Sequence, residues 1–165
     1  KIFSGFNAAA GEIGHIVIEQ DGALCGCGRR GCWEAYSSAT ALIRMTKEAI
    51  DECKKTGRYT SMLKAERISG RTACDAMRAG DESGKKVVDK YIKYLASGIT
   101  SVINIFQPDI IAVGGGISRE GDYLMEPVRQ IVAKKGYNKY MEKTKIVTAK
   151  LFNDAGIIGA AMVAK

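Results

Sequence analysis

One imidazole and three thiols stand close together early in the sequence: His15, nine residues, Cys25-x-Cys27, and four further residues to Cys32. Thiolates and an imidazole can close a tetrahedral Zn²⁺ shell, at about 2.3 Å to sulfur and about 2.0 Å to nitrogen. Gly26, Gly28 and Gly31 would supply the sharp turns and positive φ angles that let so short a loop wrap an ion. The alternative is a loop with three incidental thiols and a histidine at the head of a strand, since Cys-x-Cys is not the commoner Cys-x-x-Cys knuckle. Glu12 and Glu34 bracket the cluster. Closing the loop around zinc would fix Glu34 relative to Glu12 and His15, and paired carboxylates are a common means of holding the hydroxyls of a polyol such as a sugar. Taken alone, two glutamates beside a loop are more often plain surface residues.

Three other glycine-rich stretches invite a phosphate reading. Gly26-Cys27-Gly28-Arg29-Arg30-Gly31 satisfies G-x-G-x-x-G but follows a turn, holds a candidate metal ligand and lacks a βαβ context. Gly80-Asp81-Glu82-Ser83-Gly84-Lys85-Lys86 resembles a P-loop, yet it is one residue short, has Lys86 in place of Ser/Thr and follows no strand, so it reads as a helix N-terminus. Gly114-Gly115-Gly116 differs, because it directly follows an apolar strand, where a backbone without side chains can approach a ligand closely. A tight turn is the alternative there.

The composition narrows the chemistry. With a single His in 165 residues, any Ser-His-Asp, Cys-His or two-His metal site must use His15, which removes most hydrolase readings. Five Cys, an odd number, three of them clustered, and no Asn-x-Ser/Thr sequon indicate a reduced, cytoplasmic protein. The formal charge of +7 suggests an anionic partner, but the basic residues between Lys47 and Lys93 are interleaved with acids and read as a solvated helical face, not a nucleic-acid surface. No apolar run approaches the ~18 residues that span a bilayer, so no membrane partner is expected. The opening Lys1-Ile2-Phe3-Ser4-Gly5 has no initiator Met and no secretory pattern, as in a chain that starts within a longer protein.

The elements that must position these residues alternate in type. His15 to Glu19 reads as a strand ended by Asp21-Gly22. Apolar spacing predicts a helix over 33–55 with Ser37 and Ser38 as candidate caps and Gly57 as its stop, a short helix over 72–79, and a long helix capped by Asp81 and stopped by Pro108. Ile110 to Val113 is a strand, 123–135 a helix, Lys145 to Ala149 a strand, and 156–164 a small-residue helix suited to packing on a sheet. Such alternation argues for an α/β fold with at least part of its sheet parallel. Cys53 and Cys74 fall on helix faces and read as small buried hydrophobes.

Gly11-Glu12-Ile13-Gly14-His15, followed by Cys25-Gly26-Cys27-Gly28-Arg29-Arg30-Gly31-Cys32-Trp33-Glu34, resembles the defining motif of the ROK family of sugar kinases and repressors. Pro108 to Ser118 is similar to that family's later nucleotide-side motif, and Asn153 to Ala161 to its C-terminal stretch, so the likeness runs the length of the chain. Within the family it looks most like the bacterial glucokinases. The resemblance implies an actin-like ATPase (ribonuclease H-like) α/β fold, with 1–165 as the C-terminal sugar, zinc and nucleotide portion. It further implies that His15, Cys25, Cys27 and Cys32 bind structural Zn²⁺, that Glu12, Glu34 and the other side of His15 hold the sugar hydroxyls, and that Gly114, Gly115 and Gly116 face the adenosine part of ATP. ATP with Mg²⁺, a hexose substrate, most readily glucose phosphorylated at C6, and a homodimer follow from the same likeness.

The sequence departs from the family's pattern by lacking the Asp-x-Gly-Gly-Thr phosphate loop, the catalytic Asp preceded by Asn, and a glycine-rich phosphate loop ahead of the zinc motif. Phosphoryl transfer needs positioning, charge neutralisation and an acid to take the hydroxyl proton. The 165 residues alone are therefore expected to be inactive. The alternative function is a sugar-sensing repressor of the same family, which keeps the zinc loop and carries a helix-turn-helix ahead of it; the triple glycine leans towards the kinase.

Overall fold

The computed structural model describes residues 2–137, 143–151 and 154–163, so Asn153 of the third motif and Ala164 of the expected last helix lie outside the described residues. In chain order come a 3-10 turn (Ile13–His15), α1 (Glu34–Ser37), α2 (Ala39–Thr56), a 3-10 turn (Ser61–Lys64), α3 (Thr72–Arg78), α4 (Glu82–Phe106), β1 (Ile110–Val113), a 3-10 turn (Gly116–Glu120), α5 (Asp122–Lys135), β2 (Lys145–Thr148) and α6 (Ala155–Val163).

The long helix is central, as its apolar period predicts. Val88, Tyr91, Ile92 and Ile99 of α4 are buried, and α4 packs against α1, α2, α3 and α5. The expected helix over 33–55 is two helices, because Ser38 takes an extended conformation (φ −83°, ψ 166°) and its hydroxyl caps α2 by accepting from the N–H of Ala41. β1 and β2 pair in parallel with Ile110 opposite Lys145 and Val113 opposite Thr148, and α5 makes the connection between them. Cys53 and Cys74 are buried, as read from their helix faces.

Other expectations fail as well. His15 to Glu19 is not a strand: the chain leaves a 3-10 turn at His15 and pairs only through a bridge of Val17 to Cys32, since the thiol loop folding back over it takes precedence over the apolar pattern. The final helix forms, but none of its described residues is buried, and Ile157 and Met162 are about three-quarters exposed (76% and 74%). Its apolar residues surround the axis instead of forming one stripe, and no described residues cover them. Among the described residues no helix is long and apolar enough to cross a membrane.

The N-terminus of α4 carries a dense polar contact. Asp81 Oδ1 accepts from the N–H groups of Ser83 and Gly84 at 2.8 and 3.0 Å, while Oδ2 accepts from the Thr60 hydroxyl at 2.8 Å and from both the N–H and the hydroxyl of Ser61. Partial burial opposes the charge, but these hydrogen bonds outweigh it and hold the Asp81 carboxyl at about 2, below its ordinary 3.8. A depressed folded-state pKa means stability that is present above the unfolded value and lost as pH falls from about 4 towards 2. Asp81→Ala is expected to cost about 2 kcal/mol at pH 7. Urea unfolding of both proteins across this range checks it; a gap that stays constant down to pH 2 would assign the loss to something other than the carboxylate.

Candidate functional site

The site is a loop folded back on itself. Ile18 N–H donates to the Gly31 carbonyl (2.9 Å), Trp33 N–H to the Ile16 carbonyl (2.9 Å) and Cys25 N–H to the Arg29 carbonyl (2.8 Å), which draws the outgoing and returning strands of the loop together. Gly28 and Gly31 have φ of +87° and +80°, as the turns require, whereas Gly26 is not among the positive-φ residues. A side chain on Gly31 would run into the carbonyl of Glu19.

The closure brings His15, Cys25, Cys27 and Cys32 together, with their ligand atoms all within 4.8 Å of one another. Cys27 Sγ lies 3.7 Å from Cys32 Sγ, and Cys25 Sγ lies 3.6 Å from His15 Nδ1. A tetrahedral ion with metal–sulfur and metal–nitrogen bonds of about 2.3 and 2.0 Å requires edges of about 3.8 Å between sulfurs and about 3.5 Å between sulfur and nitrogen. The two observed edges match, so the donor set fits a metal ion, with Nδ1 as the imidazole ligand atom. All five cysteines are free. The backbone N–H of Arg29 and then its guanidinium, against some desolvation, bring the Cys27 thiol down to about 6, while burial pushes the Cys32 thiol up to about 11. A cation at the centre would favour the thiolate of both.

Both acids lie beside the imidazole. Glu34 Oε2 is 3.5 Å from His15 Nδ1 and 3.7 Å from Cys25 Sγ; Glu12 Oε2 is 3.8 Å from His15 Nε2, the ring nitrogen turned away from the thiols. Neither carboxylate is engaged by a Lys or Arg among the described residues, and the Glu12 and Glu34 side chains are 76% and 50% exposed, so both have lone pairs open to a ligand. Gly114, Gly115 and Gly116 sit apart at the carboxyl end of β1, exposed, and share no hydrogen bond with the loop among the described residues.

Several positioning residues were not legible in advance. Arg29 donates from Nη2 to the His15 carbonyl at 2.6 Å and so clamps the head of the loop to its tip. Trp33, between a thiol and an acid, donates from Nε1 to the Tyr94 carbonyl (3.0 Å) and lies on Gly98, where a Cβ would fall inside its ring. Tyr36 stacks on Tyr94 with ring centroids 4.4 Å apart, and its hydroxyl accepts from the N–H of Ala23 at 2.6 Å. The tryptophan beside Cys32 was a signal; its partners on α4, more than sixty residues away, had none.

A model of the ROK family matches residues 1–165. The glucokinase of Thermotoga maritima is 35% identical over 164 residues, which cover 99% of this chain and 52% of that protein. The xylose repressor of Caldicellulosiruptor bescii is 27% identical over 99% of this chain and 41% of its own length. Among solved structures, a ROK family glucokinase from Streptomyces griseus, in complex with glucose and AMPPNP, superposes with a TM-score of 0.85 at 29% identity, covering 99% of this chain and 54% of that one. The chain thus spans about half the length of the glucokinases it matches. Its fold is the actin-like ATPase fold of those kinases. With the thiol loop, the flanking acids and a family match over its whole length, the chain belongs to the ROK family.

Proposed function

We propose that residues 1–165 form the C-terminal sugar, zinc and nucleotide portion of an ATP-dependent hexose kinase that converts glucose to glucose 6-phosphate. The observation that carries this reading is the convergence of Glu12 and Glu34 on the two nitrogens of one His15, whose Nδ1 also meets the thiols. Zn²⁺ held by His15, Cys25, Cys27 and Cys32 supplies rigidity: it fixes the imidazole, and with it the spacing of the acids. Glu12, Glu34 and His15 Nε2 orient the sugar through its hydroxyls. Gly114, Gly115 and Gly116 present bare backbone to the adenosine part of ATP, and Mg²⁺ accompanies the phosphates. The acid that takes the hydroxyl proton and the Mg²⁺ ligands belong to other residues of the whole protein, so these 165 residues alone do not turn over. A homodimer in the cytoplasm completes the proposal.

The second reading, a sugar-responsive repressor, draws support from the xylose repressor relative. The exposed glycine triplet favours the kinase. In the whole protein, glucose-dependent ATP consumption is expected, and Glu34→Gln is expected to raise the glucose KM by about tenfold or more, since hydrogen bonds to charged groups contribute about 1.5–3 kcal/mol. Zinc content should stay at the wild-type level. Sugar binding without ATP consumption, coupled to release of DNA, would establish the repressor instead.

A further inference from the structure

The 3-10 turn Gly116–Glu120, which begins on the last glycine of the triplet, is bracketed by two positive-φ glycines, Gly115 (φ +84°) and Gly121 (φ +59°). Each end thus takes a backbone conformation that a side chain would strain, with no Cβ contact to brace it, so the segment's position depends on what grips it in between. Ser118 is fully buried and its hydroxyl donates to the Gly115 carbonyl (2.7 Å), which holds the turn to its own glycine end. Ile117 packs against the core. The third grip comes from far along the chain: Glu120, whose side chain is 5% exposed, forms an ion pair with Arg78 at the end of α3. Arg78 is itself fixed twice, by Asp75 Oδ1 at 2.9 Å and by stacking with its guanidinium carbon 4.5 Å from the ring centroid of Tyr123, in the first turn of α5.

We infer that Arg78 and Glu120 are positioning residues for the nucleotide, pinning the turn after Gly114–Gly116 to α3 and so setting where the glycine backbone meets the adenosine. The inference rests on the reading of those glycines as the nucleotide side. A carboxylate as enclosed as Glu120 is held by its partner, and loss of the guanidinium leaves it uncompensated, so the turn swings on its two glycines to rehydrate the charge. Displacement of a binding backbone by an ångström weakens the contacts it makes. The sugar acids lie on another element and are untouched.

The test uses the whole protein with ATP and glucose. Arg78→Met and Glu120→Gln are each expected to raise the ATP KM about tenfold with the glucose KM unchanged, and the double variant to be no worse than the poorer single one. Arg78→Lys, which keeps the charge without the planar stacking, should fall between. A merely structural ion pair would lower thermal stability while leaving the ratio of the two KM values at its wild-type value, and that result would overturn the inference. So would an equal rise in both KM values, or effects that add in the double variant. A wild-type protein that binds no ATP would remove the nucleotide reading itself, whereas ATP binding unchanged in folded variants removes only the role of the pair. A far-UV circular dichroism spectrum identical to wild type identifies the variants as folded.

Discussion

Cys32→Ser is expected to empty the metal site and to lower stability by about 3 kcal/mol or more, the scale set by releasing a closed loop of roughly 15 residues. Cys32 is fully buried, and its thiol stands 3.7 Å from Cys27 at one edge of the tetrahedron, so a hydroxyl there can neither bind the ion well nor face water. Elemental analysis should find about one zinc per chain in the wild type and almost none in the variant, with the melting temperature falling in step. Chelation of the wild type should reproduce the variant's melting curve. Cys53→Ser, a buried thiol outside the cluster, should leave the zinc content unchanged. Wild-type protein purified under reducing conditions without zinc would end the metal reading and, with it, the reason for Glu34 to be held near His15.

Gly98→Ala should be nearly as damaging, although it adds one methyl group far from any ligand. A Cβ at Gly98 would enter the indole of Trp33, so the ring must leave α4, breaking its hydrogen bond to the Tyr94 carbonyl and exposing the core beneath. Overpacking with loss of a docked tryptophan corresponds to about 3 kcal/mol. Trp33 is the only tryptophan of the 165 residues, so in this chain its emission should shift to the red and report the undocking directly. Zinc should remain bound, because the four ligands do not include Trp33, while sugar affinity falls because Glu34 is the next residue. Gly70→Ala, where a Cβ meets nothing within 4 Å, is the control and should stay within about 1 kcal/mol of wild type. Emission and melting temperature unchanged in Gly98→Ala would mean that the indole does not rest on this glycine.

The metal cluster and the acids were legible because coordination chemistry is carried by side-chain types at short spacing, all of it within Glu12–Glu34. The long helix was legible for the same kind of reason: its apolar period and the Asp81 cap are local signals. Local pattern failed where distant contacts decide. Ile16-Val17-Ile18 reads as strand, but the thiol loop leaves room for only one bridge, at Val17. Gly98 inside a helical period reads as a weak point and gives no hint of the ring lying on it. Glu120 reads as one more loop acid, and its enclosure depends on Arg78, 42 residues earlier.

The contacts of α4 also bear on the order in which the chain assembles. Of its partners, α3 is the one that directly precedes it in sequence, and helices joined at short range condense quickly. β1 and β2 are only four residues each, a pair too small to persist by itself, so their pairing leans on the packing of α5 beside them. The α3–α4 pair is therefore expected to form ahead of contacts made over longer separations, and Trp33 docks on a helix that is already in place. The glycine turn depends on Glu120 reaching Arg78 across 42 residues, so its pinning is expected to follow the formation of α3 and α4.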